Sequence, residues 1–338
     1  INAIRKDDME PYIYKTNDGG NNWKLVTQGL PKNGPVNVVR ADSKQEDLLF
    51  AGTERAVYFS VDEGGHWQSL RSNMPATSIR DLVIHDDDLI VGTHGRSIWI
   101  LDNISPLREI VKAKKESIYL FTPPLAIRVR DNMFNDTPLP PEEPTGKNPP
   151  DGAILDYYLA ADVSSVHLDV MHQNGSLIRS YRSDDLPVNI DTTIQPHPTY
   201  WIRPNQKLGV SAGHHRFIWD LKYAPPRGVE ASYSIAAVYK NTPSSPFGPL
   251  VNPGRYRIRL TVDGEVTEKN LVLRLDPRVS MSEAALQTQH NLSMACYEAY
   301  HELQKMAEMI TSQKSISTSN LALLGSDKPH DQNVLYGS

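Results

Sequence analysis

The first hundred residues alternate between short runs of apolar or β-branched residues and turns rich in Gly, Pro, Asn and Asp. Such runs predict β-strands bounded by tight turns. Four strands in each repeat are typical of one blade of a β-propeller. We therefore predict that residues 1–103 form the last blades of such a fold, about two and a half in number. The predicted strands are 36–39, 48–53, 56–60, 79–83, 89–93 and 97–101.

Two copies of a short motif, Ser/Thr-x-Asp-x-Gly-x-x-Trp, begin at Thr16 and Ser60. A recurrence of roughly 40–50 residues is typical of propeller blades. The Asp predicts a tight turn, which its carboxylate closes by accepting hydrogen bonds from backbone N–H groups. The Gly permits a positive φ in that turn. The Trp supplies a large apolar anchor, so we expect both tryptophans to be buried. A structural role is thus predicted for Thr16, Asp18, Gly20, Trp23, Ser60, Asp62, Gly64 and Trp67.

The pattern changes after residue 103. We predict that residues 104–152 form a connector and a Pro-rich linker, with residues 117–130 packed along the propeller rim. Alternating strands resume over 153–276, with hairpin signals at 174–175 and 263–264. This spacing indicates a β-sandwich of the fibronectin type III or immunoglobulin-like kind, with Phe217 or Trp219 in its core.

A helical period appears after Pro277, and we predict a C-terminal helix over 277–313 followed by a loose tail over 314–338. One apolar stripe would pack the helix on a neighbouring element, or else form a short coiled coil with a partner. The stripe comprises Leu292, Cys296, Ala299, Leu303, Met306 and Ile310. The predicted fold class is all-β: partial Asp-box propeller blades, then a sandwich and a C-terminal helix.

The two motifs are similar to Asp boxes, also called BNR repeats, of the sialidase and sortilin type. Over most of residues 1–310, the chain resembles bacterial sortilin-like BNR-repeat proteins. That resemblance implies an exported protein of a family often labelled glycosyl hydrolase by analogy of fold. The segments that carry the resemblance are 81–85, 92–107, 149–158, 217–221, 253–256, 262–264 and 276–279.

Composition narrows the function classes. The chain has 35 basic and 40 acidic residues, which gives no basic footprint for nucleic acid. Cys296 is the only cysteine, so an internal disulfide framework is excluded. The sequence holds no apolar run of transmembrane length, no Cys/His spacing typical of zinc and no dinucleotide or P-loop fingerprint. We therefore predict neither a metal site nor a cofactor.

Candidate chemistry comes from the innermost strand of each blade, which lines the channel of a propeller. Glycoside hydrolysis requires two carboxylates that flank the scissile bond. Asp81 is the one carboxylate on these strands with an adjacent basic residue, Arg80, and is a weak catalytic candidate. The alternative is that Arg80 and Asp81 form structural ion pairs between blades. A β-bulge near Gly95 would re-aim His94 or Arg96. The candidates for lining the channel are Asn37, Arg40, Asp42, Arg80, Asp81, His94 and Arg96.

Two function classes stay open. The favoured one is an exported, non-catalytic binding or assembly module for a protein or a glycan. The alternative is a glycoside hydrolase, similar to sialidases or xyloglucanases, whose catalytic carboxylates lie mostly in further N-terminal blades. Closed propellers have about four to eight blades. We therefore expect such blades, or another chain, to cover the open propeller edge.

Overall fold

The structure is a computed structural model. It describes residues 1–129, 146, 149–186, 193, 198–229, 232–233, 242 and 244–324, with side chains of the last helix described as far as residue 312. The described residues are mostly β-sheet, followed by one long C-terminal helix, so the all-β prediction is confirmed. Within them, neither α-helix combines the length and the apolar character that a membrane span needs.

Residues 1–101 form three antiparallel sheets in chain order. The first has two strands, the second has four and the third has three. The expected four-stranded pattern is thus correct only for the middle sheet. The strands are β1 (Tyr14–Lys15), β2 (Lys24–Leu25), β3 (Val36–Ala41), β4 (Leu49–Thr53), β5 (Val57–Ser60), β6 (Gln68–Ser69), β7 (Ile79–His85), β8 (Asp88–Thr93) and β9 (Ile98–Leu101).

The second and third sheets share one apolar core, to which both contribute fully buried side chains such as Phe50 and Leu82. The third sheet stops at β9 because the chain then enters helix α1 (Ser105–Ala113), with Pro106 in its first turn. Proline suits that position, where its missing N–H costs no hydrogen bond. Ile104, just before the helix, is buried in the same core.

The second part of the chain places two sheets around one hydrophobic core. One sheet has the order β10-β12-β15, and the other has the order β11-β19-β18-β13-β14. Its strands are β10 (Ile118–Leu120), β11 (Ala126–Arg128), β12 (Ala153–Leu159), β13 (Val166–His172), β14 (Leu177–Arg182), β15 (Gly213–Trp219), β16 (Ser232–Tyr233), β17 (Ser244–Ser245), β18 (Gly254–Val262) and β19 (Glu265–Leu275). Phe217 and Trp219 both lie in this core, as predicted.

The connector differs from its prediction. Strand β10 pairs antiparallel with β12, and β11 pairs parallel with β19, so residues 118–128 join the two sheets of the second part. They do not pack along the rim of the first part, because their apolar side chains, including Leu120 and Ala126, enter the second core. The described second part therefore begins near residue 118 and not at 153. Most of the predicted linker before Pro150 lies outside the described residues.

Helix α2 (Glu283–Leu324) is longer than predicted and includes the first part of the expected tail. Its sequence contains neither Gly nor Pro, so nothing breaks the helix before Gly325. Residues 325–338 lie outside the described residues. The predicted stripe is solvent-exposed at Leu292, Leu303 and Ile310, so its expected packing on a neighbouring element is wrong. A different face, which includes His290 and Tyr297, contacts the sheets through Leu250 and Tyr223.

A buried polar cluster joins the two parts of the chain. Asp156 on β12 is 2% exposed and accepts hydrogen bonds from Arg216 Nε at 2.9 Å and from Asn103 Nδ2 at 3.1 Å. The Arg216 guanidinium also donates to the backbone carbonyl oxygens of Asp102 (2.7 Å) and Asn103 (3.1 Å). His214 Nε2 lies 3.2 Å from the same carboxylate. The end of the third sheet is thus held against the sheet that contains β12 and β15.

Candidate functional site

The two turns of the Ser/Thr-x-Asp-x-Gly-x-x-Trp motif have the same hydrogen bonds. The hydroxyl of Thr16 donates to Asp18 at 2.8 Å, and that of Ser60 donates to Asp62 at 2.6 Å. Each hydroxyl also accepts the N–H of the motif glycine at 2.9 Å. Each Asp accepts the N–H of the residue that precedes the Trp, at 2.9 Å in the first turn and 2.8 Å in the second. The predicted turn role of these residues is confirmed.

These hydrogen bonds keep both carboxylates ionised. The backbone N–H and side chain of Asn22, together with Thr16, lower the pKa of Asp18 to about 2. For Asp62, burial raises the pKa, but hydrogen bonds from Ser60 and the His66 backbone outweigh it, so the pKa is lowered. A general acid needs a raised pKa, so neither turn carboxylate suits that role.

The two motif tryptophans differ. Trp67 is 1% exposed, and its indole N–H donates to the Val26 carbonyl oxygen at 2.9 Å. It packs with Ile13 and Val26 from the β1–β2 hairpin that precedes its own sheet. Trp23 is 60% exposed, so its predicted burial is wrong. The indole N–H of Trp23 donates to the backbone carbonyl oxygen of Gly20 in its own turn. Among the described residues, no hairpin precedes β1 that could cover Trp23 as the β1–β2 hairpin covers Trp67.

Gly29 permits the close approach of Trp67 to this hairpin. Gly29 has φ +95°, and a Cβ there would collide with the backbone carbonyl of Trp67. We expect Gly29→Ala to lower the free energy of unfolding by about 2–4 kcal/mol, from backbone strain and overpacking together. Gly20 is a matched control: its φ is also +95°, and its nearest neighbour would be Trp23 at 3.7 Å. We expect Gly20→Ala to cost about 1 kcal/mol. Equal losses for the two variants in urea denaturation would contradict this assignment.

The predicted channel residues Asn37 and Arg80 occupy equivalent β-bulges. The register of β3 against β4 shifts between Val36 and Val38, and that of β7 against β8 shifts between Ile79 and Asp81. A bulge turns one side chain out of the regular alternation, and bulges are common beside functional sites.

The bulge predicted near Gly95 is wrong, because residues 94–97 form the turn between β8 and β9. Within that turn, the Arg96 N–H donates to Thr93.

Glu54 is the centre of the cluster that these bulges create. Its Oε1 accepts hydrogen bonds from Asn37 Nδ2 and from Arg80 Nη1, each at 3.0 Å. Burial raises the pKa of Glu54, but hydrogen bonds from neighbouring side chains and the charge of Arg80 outweigh it, so the pKa is lowered. Glu54 is not among the residues predicted from the sequence. The signal for Glu54 was its position in the sequence: it follows Thr53, just as the candidate His94 follows Thr93.

The catalytic candidate Asp81 is paired across sheets. Arg40 Nη2 on β3 lies 2.7 Å from Asp81 Oδ1 on β7, and the same oxygen accepts the Leu82 N–H at 2.8 Å. Arg80 pairs with Glu54, which follows β4. The alternative of structural ion pairs between neighbouring sheets is therefore confirmed for Arg80 and Asp81. We name Asn37, Arg40, Glu54, Arg80 and Asp81 together the polar face.

Asp42 does not belong to this face, and its assignment to an open channel is wrong. Its side chain is fully buried and pairs with Arg108 of α1, with Arg108 Nε 2.5 Å from Asp42 Oδ2. The same guanidinium contacts Asp87, between β7 and β8. Arg108 thus links the second sheet, the third sheet and α1. This partner was not predictable from the sequence, because residues 104–152 were expected only to form a connector and a linker.

The polar face offers fixed hydrogen-bonding groups. Each of its two carboxylates accepts a hydrogen bond from an arginine, and both arginines keep about half of their side-chain surface exposed. Among the described residues, no group of three or more His, Cys, Asp or Glu side chains is arranged to hold a metal ion. The arrangement is suited to recognition of a polar ligand.

No protein-family profile matches this chain, and neither does any curated protein sequence. Among solved structures, the chain is similar to the extracellular domain of a putative hybrid two-component system protein from B. thetaiotaomicron. The match has 7% sequence identity and a TM-score of 0.22, and it covers 80% of this chain and 29% of that chain. At this level of similarity, a proposal of function has to rest on the chain's own geometry.

Proposed function

We propose that this protein is an exported, non-catalytic binding module for a protein or a glycan. In this proposal, the first three sheets are the last blades of an Asp-box β-propeller, of the BNR, sortilin-like kind. The second part is a sandwich of the fibronectin type III or immunoglobulin-like kind. The polar face is the recognition surface.

The arrangement of the sheets supports the proposed architecture. The Asp box at Ser60 lies between the third and fourth strands of the second sheet, and the box at Thr16 lies between β1 and β2. The first strands of the second and third sheets, β3 and β7, are neighbours joined by the Arg40–Asp81 ion pair. Inner strands side by side and box turns at the outer edge are expected of adjacent blades.

The pairing of the two face carboxylates carries the functional proposal. A glycosidase needs a carboxylic acid with a raised pKa beside a second, free carboxylate. Glu54 has the opposite shift, and Asp81 is held by Arg40 and by its own strand. The half-exposed guanidinium groups of Arg40 and Arg80 can instead donate to hydroxyl or carbonyl oxygens of a ligand.

Binding and hydrolysis can be tested on one preparation of the full chain. We expect affinity electrophoresis against a panel of soluble polysaccharides to show retardation by at least one of them, without release of reducing ends. Arg80→Ala is expected to weaken that binding about tenfold or more, because a hydrogen bond from a charged donor is lost. Lys115→Ala is the control, since it removes the same charge from an exposed position at the end of α1.

Two outcomes would contradict the proposal. Equal weakening by Arg80→Ala and Lys115→Ala would show that the polar face is not the recognition surface. Release of reducing sugar that is lost on Asp81→Asn would instead favour the hydrolase alternative. If no polysaccharide is retarded, the glycan form of the proposal fails and a protein ligand is left.

A further inference from the structure

A second concave site lies where α2 packs against the sheets of the second part. This cavity has a volume of about 450 Å³. That lies within the range of small-molecule sites, about 300–1,000 Å³. Arg128 of β11 and Lys222, which follows β15, contribute to its lining, and so do Tyr297 and Tyr300 of α2.

The cavity has a positive lining. The Arg128 guanidinium lines it, and no Asp or Glu is among its described lining residues. Within the described part of the chain, the Arg128 guanidinium donates to two neutral groups, Asn252 Oδ1 and Gln289 Oε1, each at 3.3 Å. Among the described residues, no carboxylate oxygen lies within 4.0 Å of this guanidinium. Burial lowers the pKa of Arg128, which reports that its charge is poorly solvated. A half-buried cation without a counter-charge is stabilised by an anionic ligand.

The remaining lining is apolar and aromatic. Phe247 lies beneath the Lys222 ammonium, with Nζ 4.1 Å from the ring centroid, and is itself partly exposed. Pro249 and Leu250 add aliphatic surface. Flat rings beside cationic groups favour a ligand that combines a planar body with a negative charge.

We propose that this cavity binds a small aromatic carboxylate, with the carboxylate at Arg128 and the ring against Phe247 and Tyr297. The site is separate from the polar face and gives the protein a small-molecule ligand in addition to its proposed macromolecular one.

Cys296 provides a local reporter for this proposal. It lines the cavity, it is exposed, and it is the only cysteine of the chain. The probes are 4-hydroxybenzoate and its neutral isostere 4-hydroxybenzamide, added to the full chain. We expect 4-hydroxybenzoate to slow alkylation of Cys296 by iodoacetamide in a saturable way. The amide is expected to protect at least about tenfold less effectively, because it cannot form a charge-assisted bond with Arg128.

Two variants locate the contact. Arg128→Gln is expected to weaken protection by 4-hydroxybenzoate about tenfold or more. Arg274→Gln is the matched control: it lies on β19, beside β11, and it is exposed and outside the cavity lining. Isothermal titration of the same proteins gives an independent affinity, and their melting temperatures show whether Arg128→Gln stays folded. Absence of protection by the carboxylate, equal protection by the amide, or equal losses in the two variants would overturn the proposal.

Discussion

Trp67→Ala is expected to lower the free energy of unfolding by about 3–5 kcal/mol, the range for removal of a buried aromatic side chain. Trp67 is fully buried, and it occupies the space between the β1–β2 hairpin and the second sheet. The change also leaves the Val26 carbonyl oxygen without the indole N–H. Urea denaturation followed by circular dichroism measures the loss.

Trp23→Ala is the matched control, since it removes the same side chain from the same position of the other copy of the motif. Trp23 is mostly exposed, so we expect its replacement to cost less than about 1 kcal/mol. Similar losses for the two variants would show that burial of the box tryptophan does not determine its contribution.

Asp156→Ala is expected to lower the free energy of unfolding by about 3 kcal/mol. This value is the lower end of the loss in unfolding free energy expected when a buried ion pair is broken, because Arg216 keeps about a quarter of its side-chain surface exposed. The variant leaves Arg216 without its carboxylate and Asn103 without an acceptor. Asp81→Ala removes a carboxylate from an exposed ion pair and is expected to cost about 0–1 kcal/mol.

The loss at Asp156 should depend on pH. Burial raises the pKa of this carboxyl, but hydrogen bonds and charges from His214 and Arg216 outweigh it, so the pKa is lowered in the folded protein. Its contribution is therefore fully present above the unfolded pKa of about 3.9 and is lost as the pH falls through the folded value. The difference between wild type and Asp156→Ala should shrink below about pH 4. A difference that stays constant in acid would argue against an ionised Asp156.

Local features were predictable from the sequence. The strands of the first part follow from apolar runs between turn residues, and the box turns follow from the spacing of Thr16 and Asp18. Hydrogen bonds inside such a turn involve residues within four positions of one another, so the motif itself specifies them. The burial of Trp219 follows in the same way from strand alternation.

Features that depend on contacts distant in sequence were not predictable. Glu54 contacts Arg80 because a bulge interrupts β7 and places the Arg80 side chain beside the preceding sheet. Asp42 meets Arg108 across 66 positions of the chain. The helical period of α2 indicated packing through an apolar stripe that is in fact exposed. The face that contacts the sheets carries His290 and Tyr297, whose polar atoms and rings weaken the periodic signal.

The seating of Trp67 on the hairpin before it has a consequence for folding cooperativity. The β1–β2 hairpin and the four-stranded sheet share one core, which includes Ile13, Val26 and Trp67, so the stability of the sheet's outer edge depends on the hairpin. In arrays of repeats, such shared cores transmit stability from neighbour to neighbour. Local opening of the short β1–β2 hairpin therefore exposes the outer edge of the four-stranded sheet to solvent and to proteases, even while the strands of that sheet stay paired.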